Sequence, residues 1–113
     1  FVFQEDSMEE LVEAIVYASQ KKGVCKLLVA GTSMDKESVQ WKEELRQKLE
    51  GRFAQVAIAA VDKTNGDFAK MLQEYNGVIS VERIGKSTYT NIEKEIRLCD
   101  FYETPLMGFV VIK

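Results

Sequence analysis

Apolar residues recur at helical spacing in four stretches of the chain and run almost unbroken in four others. In residues 7–23, Met8, Leu11, Val12, Ile15 and Val16 keep the three- and four-residue spacing of one helix face. Ser7 and Glu10 form an S-x-x-E capping box ahead of it, because a hydroxyl and a carboxylate can satisfy the free amides reciprocally. Lys21, Lys22 and Gly23 supply a cationic end and a stop. KLLVAG (26–31) is a short apolar run closed by glycine and predicts a buried strand. A second helix is predicted from about Asp35 to Glu50, with Trp41, Leu45 and Leu49 on one stripe. QVAIAAVD (55–62) predicts the next strand, closed by an acid. Phe68, Met71, Leu72 and Tyr75 stripe a third helix that ends at Asn76-Gly77, and GVISVER (77–83) predicts a third strand. Tyr89, Ile92, Ile96 and Cys99 mark a fourth helix, read as begun by Thr90 with Glu93 as a second capping box. Pro105 breaks the chain, and GFVVIK (108–113) predicts the last strand.

Continuous apolar strands separated by helices imply a mainly parallel sheet of about four strands, covered on both faces. The expectation is a single α/β domain over 1–113, built as a three-layer sandwich with right-handed crossovers. The length of 113 residues suits one domain with a core of its own. The net charge of −3, with fifteen basic against eighteen acidic residues, gives no basic footprint for nucleic acid. No apolar stretch approaches the roughly 20 residues that span a bilayer. The chain begins at Phe1 rather than methionine, which is expected of a fragment of a longer protein, so that statement covers this piece alone.

With no histidine, zinc sites built on Cys and His and His-based triads are excluded. Cys25 and Cys99 lack CxxC spacing and read as buried apolar residues of a cytosolic protein. A phosphocysteine carrier would place its cysteine after the first of these strands, whereas Cys25 precedes it.

Gly85-Lys86-Ser87-Thr88 ends the way a phosphate-binding loop ends, but G-x-x-x-x-G-K-[ST] needs a glycine where Ser80 stands. The segment reads as a strand-to-helix turn. Open α/β sheets place ligands at the carboxyl ends of their strands, where the first predicted strand is followed by AGTSMDKES (30–38). A nucleotide site there would use Gly31, Thr32, Ser33, Lys36 and Ser38; the structural reading makes Thr32 and Asp35 a capping box. Asp35 and Glu37 flank the lysine and repel polyphosphate. Asp62, with Asp67 nearby, is placed to bind magnesium or to serve as a receiver-type phosphoacceptor, or else opens the turn 62–66.

As a set, these pieces resemble the bacterial polysaccharide tyrosine kinases, the cytosolic enzymes of capsule and exopolysaccharide synthesis, and the wider MinD-like P-loop ATPases. Asn76-Gly77-Val78-Ile79-Ser80-Val81-Glu82-Arg83 matches the family's "ADGVLLVVRAGKT" strand, and Gly85-Lys86-Ser87-Thr88 its "GKT" turn. Pro105-Leu106-Met107-Gly108-Phe109-Val110-Val111-Ile112 matches its "GVPVLGVVLN" segment. The family's Walker A loop is replaced here by Thr32-Ser33-Met34-Asp35-Lys36-Glu37-Ser38, one acid-bearing strand is missing, and the tyrosine-rich tail is absent. The resemblance therefore implies a P-loop-like fold without its nucleotide chemistry and without a cofactor.

In that family the kinase is fused to, or paired with, a membrane protein that controls polysaccharide chain length. The expected function is thus a non-catalytic cytosolic domain of a chain-length or export protein. It would lie on the cytoplasmic side of the bacterial membrane, reach the membrane only through a segment outside this piece, and work with protein partners or as a homo-oligomer. The candidate partner surface is the carboxyl end of the sheet, with Asp62, Lys63, Arg83 and Lys86. The alternative is a nucleotide-binding or phosphoryl-transfer enzyme that uses ATP, with Lys36 on phosphate and Asp62 on magnesium. A receiver-like signalling domain is the third reading.

Overall fold

Two residues near the amino terminus add a strand that periodicity could not announce. The computed structural model describes residues 2–61 and 66–113. In chain order they form β1 (Val2–Phe3), α1 (Met8–Lys21), β2 (Lys26–Ala30), α2 (Lys36–Leu49), β3 (Gln55–Ile58), α3 (Gly66–Glu74), β4 (Gly77–Arg83), α4 (Tyr89–Phe101) and β5 (Leu106–Ile112). The sheet has five strands in the order β1-β5-β4-β2-β3, so the expected four are corrected to five. Every pairing is parallel.

Side-chain alternation splits the core in two. Leu27 and Val29 of β2 and Ile79 and Val81 of β4 face Leu11, Val12, Ile15 and Val16 of α1 and Leu45 and Leu49 of α2. Leu28, Ala30 and Val78 face Phe68 and Leu72 of α3 and Cys99 of α4. Helices therefore cover both faces, as apolar-both-sides strands require. Fully burying each of these aliphatic side chains stabilises by about 1.5–3 kcal/mol. Between Val78↔Leu106 and Ile79↔Gly108 the β4–β5 register slips, leaving Met107 as an extra residue. The bulge changes which side alternate residues face, so Met107 and Val110 both join the core under α1 and α2.

The helix starts differ from two of the expected caps. Ser7 caps α1 by accepting the Glu10 amide, as read from the sequence. The cap of α2 is Asp35, which accepts from the Ser38 amide, and Thr32 has no part in it. The cap of α4 is Thr88, which accepts from the Asn91 amide, and Thr90 lies inside the helix. At the amino end of the sheet, Asn76 works as a clasp. Its Oδ1 accepts the amides of Cys25 at 3.1 Å and Lys26 at 2.9 Å, and its Nδ2 donates to the Gly23 carbonyl at 3.2 Å.

Two residues expected inside are not fully so. Cys99 is buried and Cys25 exposed, because Cys25 precedes β2 rather than lying in it. Trp41 packs on the core but is only half-buried, since it borders a surface cavity of about 210 Å3 with Phe3, Met8 and Leu11. The buried stripe of α2 runs through Ser38, Lys42, Leu45 and Leu49. Among the described residues no helix is long and apolar enough to cross a membrane.

Candidate functional site

The chain leaves β2 for α2 on one face of the sheet and leaves neighbouring β4 for α4 on the other. Loops that part in this way mark the switch point between β2 and β4, the crevice position at the carboxyl ends of the strands where open α/β sheets usually bind ligands; here its residues are buried against one another. Gly31 sets how close its walls stand. A Cβ there would lie 2.1 Å from the Val81 carbonyl oxygen, and the backbone φ is +153°, so only glycine fits.

That close approach sets the Thr32 amide against β4, where it meets Glu82. The Glu82 carboxylate is buried and accepts the Thr32 amide at 3.0 Å, the Thr32 hydroxyl, the Ser80 hydroxyl at 2.6 Å and the Ser87 hydroxyl at 2.7 Å. Burial works to raise its pKa, but the hydrogen bonds from Ser80, Thr32 and Ser87 outweigh burial and hold it below the usual carboxylate range. Glu82 is therefore an anion inside the crevice, held by backbone and hydroxyl donors of the kind that hold a phosphate.

A second carboxyl group lies behind it. Glu95 of α4 is fully buried, with Oε2 2.9 Å from the same Ser80 hydroxyl. Burial, joined by the charge of Glu82, pushes its pKa up to about 9, so it is neutral at pH 7. The single Ser80 proton goes to the charged Glu82, which leaves the Ser80 oxygen to accept the proton of Glu95. Glu95 Oε1 and Ser33 Oγ are buried with no hydrogen-bond partner. From the other face, Lys42 of α2 is buried and its Nζ donates to the Ser33 carbonyl at 3.0 Å. Burial lowers its pKa, while Glu82, Glu95 and Asp35 act in the opposite sense and favour the ammonium. The crevice thus contains its own anion and its own cation.

Above this layer Arg83 joins the two loops. Its Nη1 lies 2.7 Å from Asp35 Oδ2 and its Nη2 2.6 Å from Glu37 Oε2. The Gly85-Lys86-Ser87 segment forms a tight turn, with the Lys86 and Ser87 amides donating to the Arg83 carbonyl and Gly85 at φ +85°.

The structure brings together most of the residues singled out from the sequence, in roles other than those expected. Thr32 serves Glu82, Ser38 Oγ donates to Asp35, Gly31 is buried against β4, and Lys36 is exposed. Arg83 belongs to the crevice rim and Lys86 is exposed beside it. Asp62 and Lys63 lie outside the described residues. Among the described residues, no group of three or more His, Cys, Asp or Glu is placed to hold a metal.

Sequence reasoning missed Lys42, Ser80 and Glu95 and saw Glu82 only as part of a strand. The signal was present as polar residues in apolar patterns. Ser80 and Glu82 alternate on one side of a strand that is otherwise apolar up to Arg83 at its end, Glu95 shares a stripe with Ile92 and Cys99, and Lys42 shares one with Leu45 and Leu49. Comparison with protein-family models, curated proteins and solved structures returns no match for this chain.

Proposed function

We propose that this chain is a nucleotide-free α/β module that acts through protein–protein contacts. Its setting follows the resemblance: the cytoplasmic side of a bacterial membrane machine that sets the length of, or exports, a capsular or exopolysaccharide chain. The observation that supports the first part is the position of Glu82. A phosphate entering between β2 and β4 would meet a carboxylate already holding the Thr32 amide and hydroxyl and the Ser80 and Ser87 hydroxyls. Like-charge repulsion and the loss of those bonds oppose entry.

The phosphoryl-transfer alternative loses support from the same contacts. Thr32 and Ser38 are engaged by acids, and Gly31 is pressed on the Val81 carbonyl. Calorimetric titration with magnesium-ATP tests the reading, and no saturable heat is expected. Micromolar affinity abolished by Lys36→Ala would establish the enzyme reading instead. The setting is tested by crosslinking in bacterial cells that make the protein. Membrane components of polysaccharide assembly are the expected partners, and exclusively soluble, unrelated partners would refute it.

A further inference from the structure

We propose that the cavity enclosed by the first turn of α1, Trp41 and the carboxyl ends of β1 and β5 receives a basic side chain, lysine or arginine, of a partner protein. This rests on the protein-contact reading above and adds a second place on the molecule and the chemistry of what is bound there.

Phe3 ends β1 and Ile112 ends β5, so the cavity opens on the same carboxyl side of the sheet as the β2–β4 switch point. Its volume is about 210 Å3, and its apolar wall is made by Phe3, Met8, Leu11, Trp41 and Ile112. Pockets that take drug-sized ligands and cofactors hold about 300–1,000 Å3. This cavity therefore has room for one side chain rather than for a nucleotide. Phe3 and Leu11 are buried in the core under α1, so the wall is a fixed part of the fold. A preformed wall lowers the ordering cost of binding.

Charge selects the occupant. Glu5 and Asp6 line the same cavity, both are exposed, and neither makes an ion pair among the described residues. No lysine or arginine lines it. Lys113 follows Ile112 in sequence but is not a lining residue and pairs with neither acid. The amino end of α1 brings a partial positive charge, which Glu9 and Glu10 in its first turn already oppose. The cavity is thus an apolar wall that ends in two unanswered carboxylates. A lysine or arginine side chain has the matching two parts, an apolar stem for Phe3, Met8 and Leu11 and a cation for Glu5 and Asp6. Tryptophan is moreover the aromatic residue that attracts a cation most strongly. An acidic side chain would be repelled, and a neutral one would leave both carboxylates unanswered.

Trp41 is the one tryptophan of the chain, so its fluorescence reports on this cavity directly. The test is a titration of that emission with short blocked peptides of glycine and serine around one central residue: lysine, arginine, acetyl-lysine or glutamate. The lysine and arginine peptides are expected to change the emission saturably, with dissociation constants on the order of millimolar, and the other two to leave it unchanged. Added salt should weaken that binding. The double variant Glu5→Gln/Asp6→Asn should weaken it about tenfold or more, while its circular dichroism stays that of wild type because both residues are exposed. No saturable change with the lysine and arginine peptides at roughly ten times that concentration, an equal change with the acetyl-lysine peptide, or undiminished binding by the double variant would overturn the proposal. Free n-butylammonium is titrated in parallel. A response to it without one to the peptides would assign the cavity to a small amine and overturn the partner-protein assignment. Any of these failures leaves the protein-contact reading standing, since that reading falls only with the magnesium-ATP titration or the crosslinking described above.

Discussion

Glu82 and Glu95 stand on either side of one hydroxyl, that of Ser80, at 2.6 Å and 2.9 Å. One of them is held as an anion by its donors and the other is held neutral by burial. This division makes the stability of the fold depend on pH in a defined direction. Unfolded, Glu95 loses its proton near the ordinary 4.5; folded, it keeps it to about 9. The folded state binds the extra proton across that window, so stability falls as pH rises through it. Urea unfolding at about pH 6 and about pH 8 should show wild type losing on the order of 1 kcal/mol per pH unit. Glu95→Gln, which stays neutral, should flatten that slope. Parallel slopes in the two proteins would show that Glu95 is ionised in the fold.

Glu82 acts in the opposite direction. Its lowered pKa gives stability that is present above the unfolded carboxylate range and is lost as pH falls through its folded value. Glu82→Ala leaves the buried Thr32 and Ser80 donors without their acceptor and should cost about 3–5 kcal/mol by urea unfolding. A cost near zero would mean that the loops close equally well without it.

Gly31→Ala should destabilise by roughly 2–4 kcal/mol, because its Cβ would overlap the Val81 carbonyl and its φ is unfavourable for an L side chain. Thermal unfolding measures this directly. A melting temperature equal to wild type would show that β2 and β4 can part at this point.

The two thiols should differ sharply in reactivity. Cys25 is exposed, whereas Cys99 is buried and burial pushes its pKa up to about 12. Iodoacetamide should label Cys25 in the native protein and reach Cys99 only when the fold opens. Mass spectrometry of the partly labelled protein reads this, and equal labelling of both would contradict the packing of α4.

Much of the fold was legible because long apolar runs and helical stripes reflect burial directly. Residues 77–83 read as a strand and form β4 over that span. β1 was not legible, since two residues carry no period. The crevice was legible in place but not in chemistry. Thr32 reads as a cap from its neighbours in sequence, while its actual partner, Glu82, lies fifty positions away. Lys42 gives no such signal beside Trp41 because a lysine ordinarily marks the outside of a helix, and only the tertiary placement of Ser33 and the two glutamates explains its burial.

The Asn76 clasp has a consequence for how the molecule opens. It fastens the starts of β2 and β4 together, while Thr32 and Glu82 fasten their ends. The central pair is therefore pinned at both extremities by side chains, beyond its ladder bonds, whereas β1 and β3 are short strands at the sheet's margins. Native-state hydrogen exchange should accordingly be layered, with margin amides exchanging through small local openings. The amides of Leu28, Val29, Ile79 and Ser80 should exchange only through global unfolding.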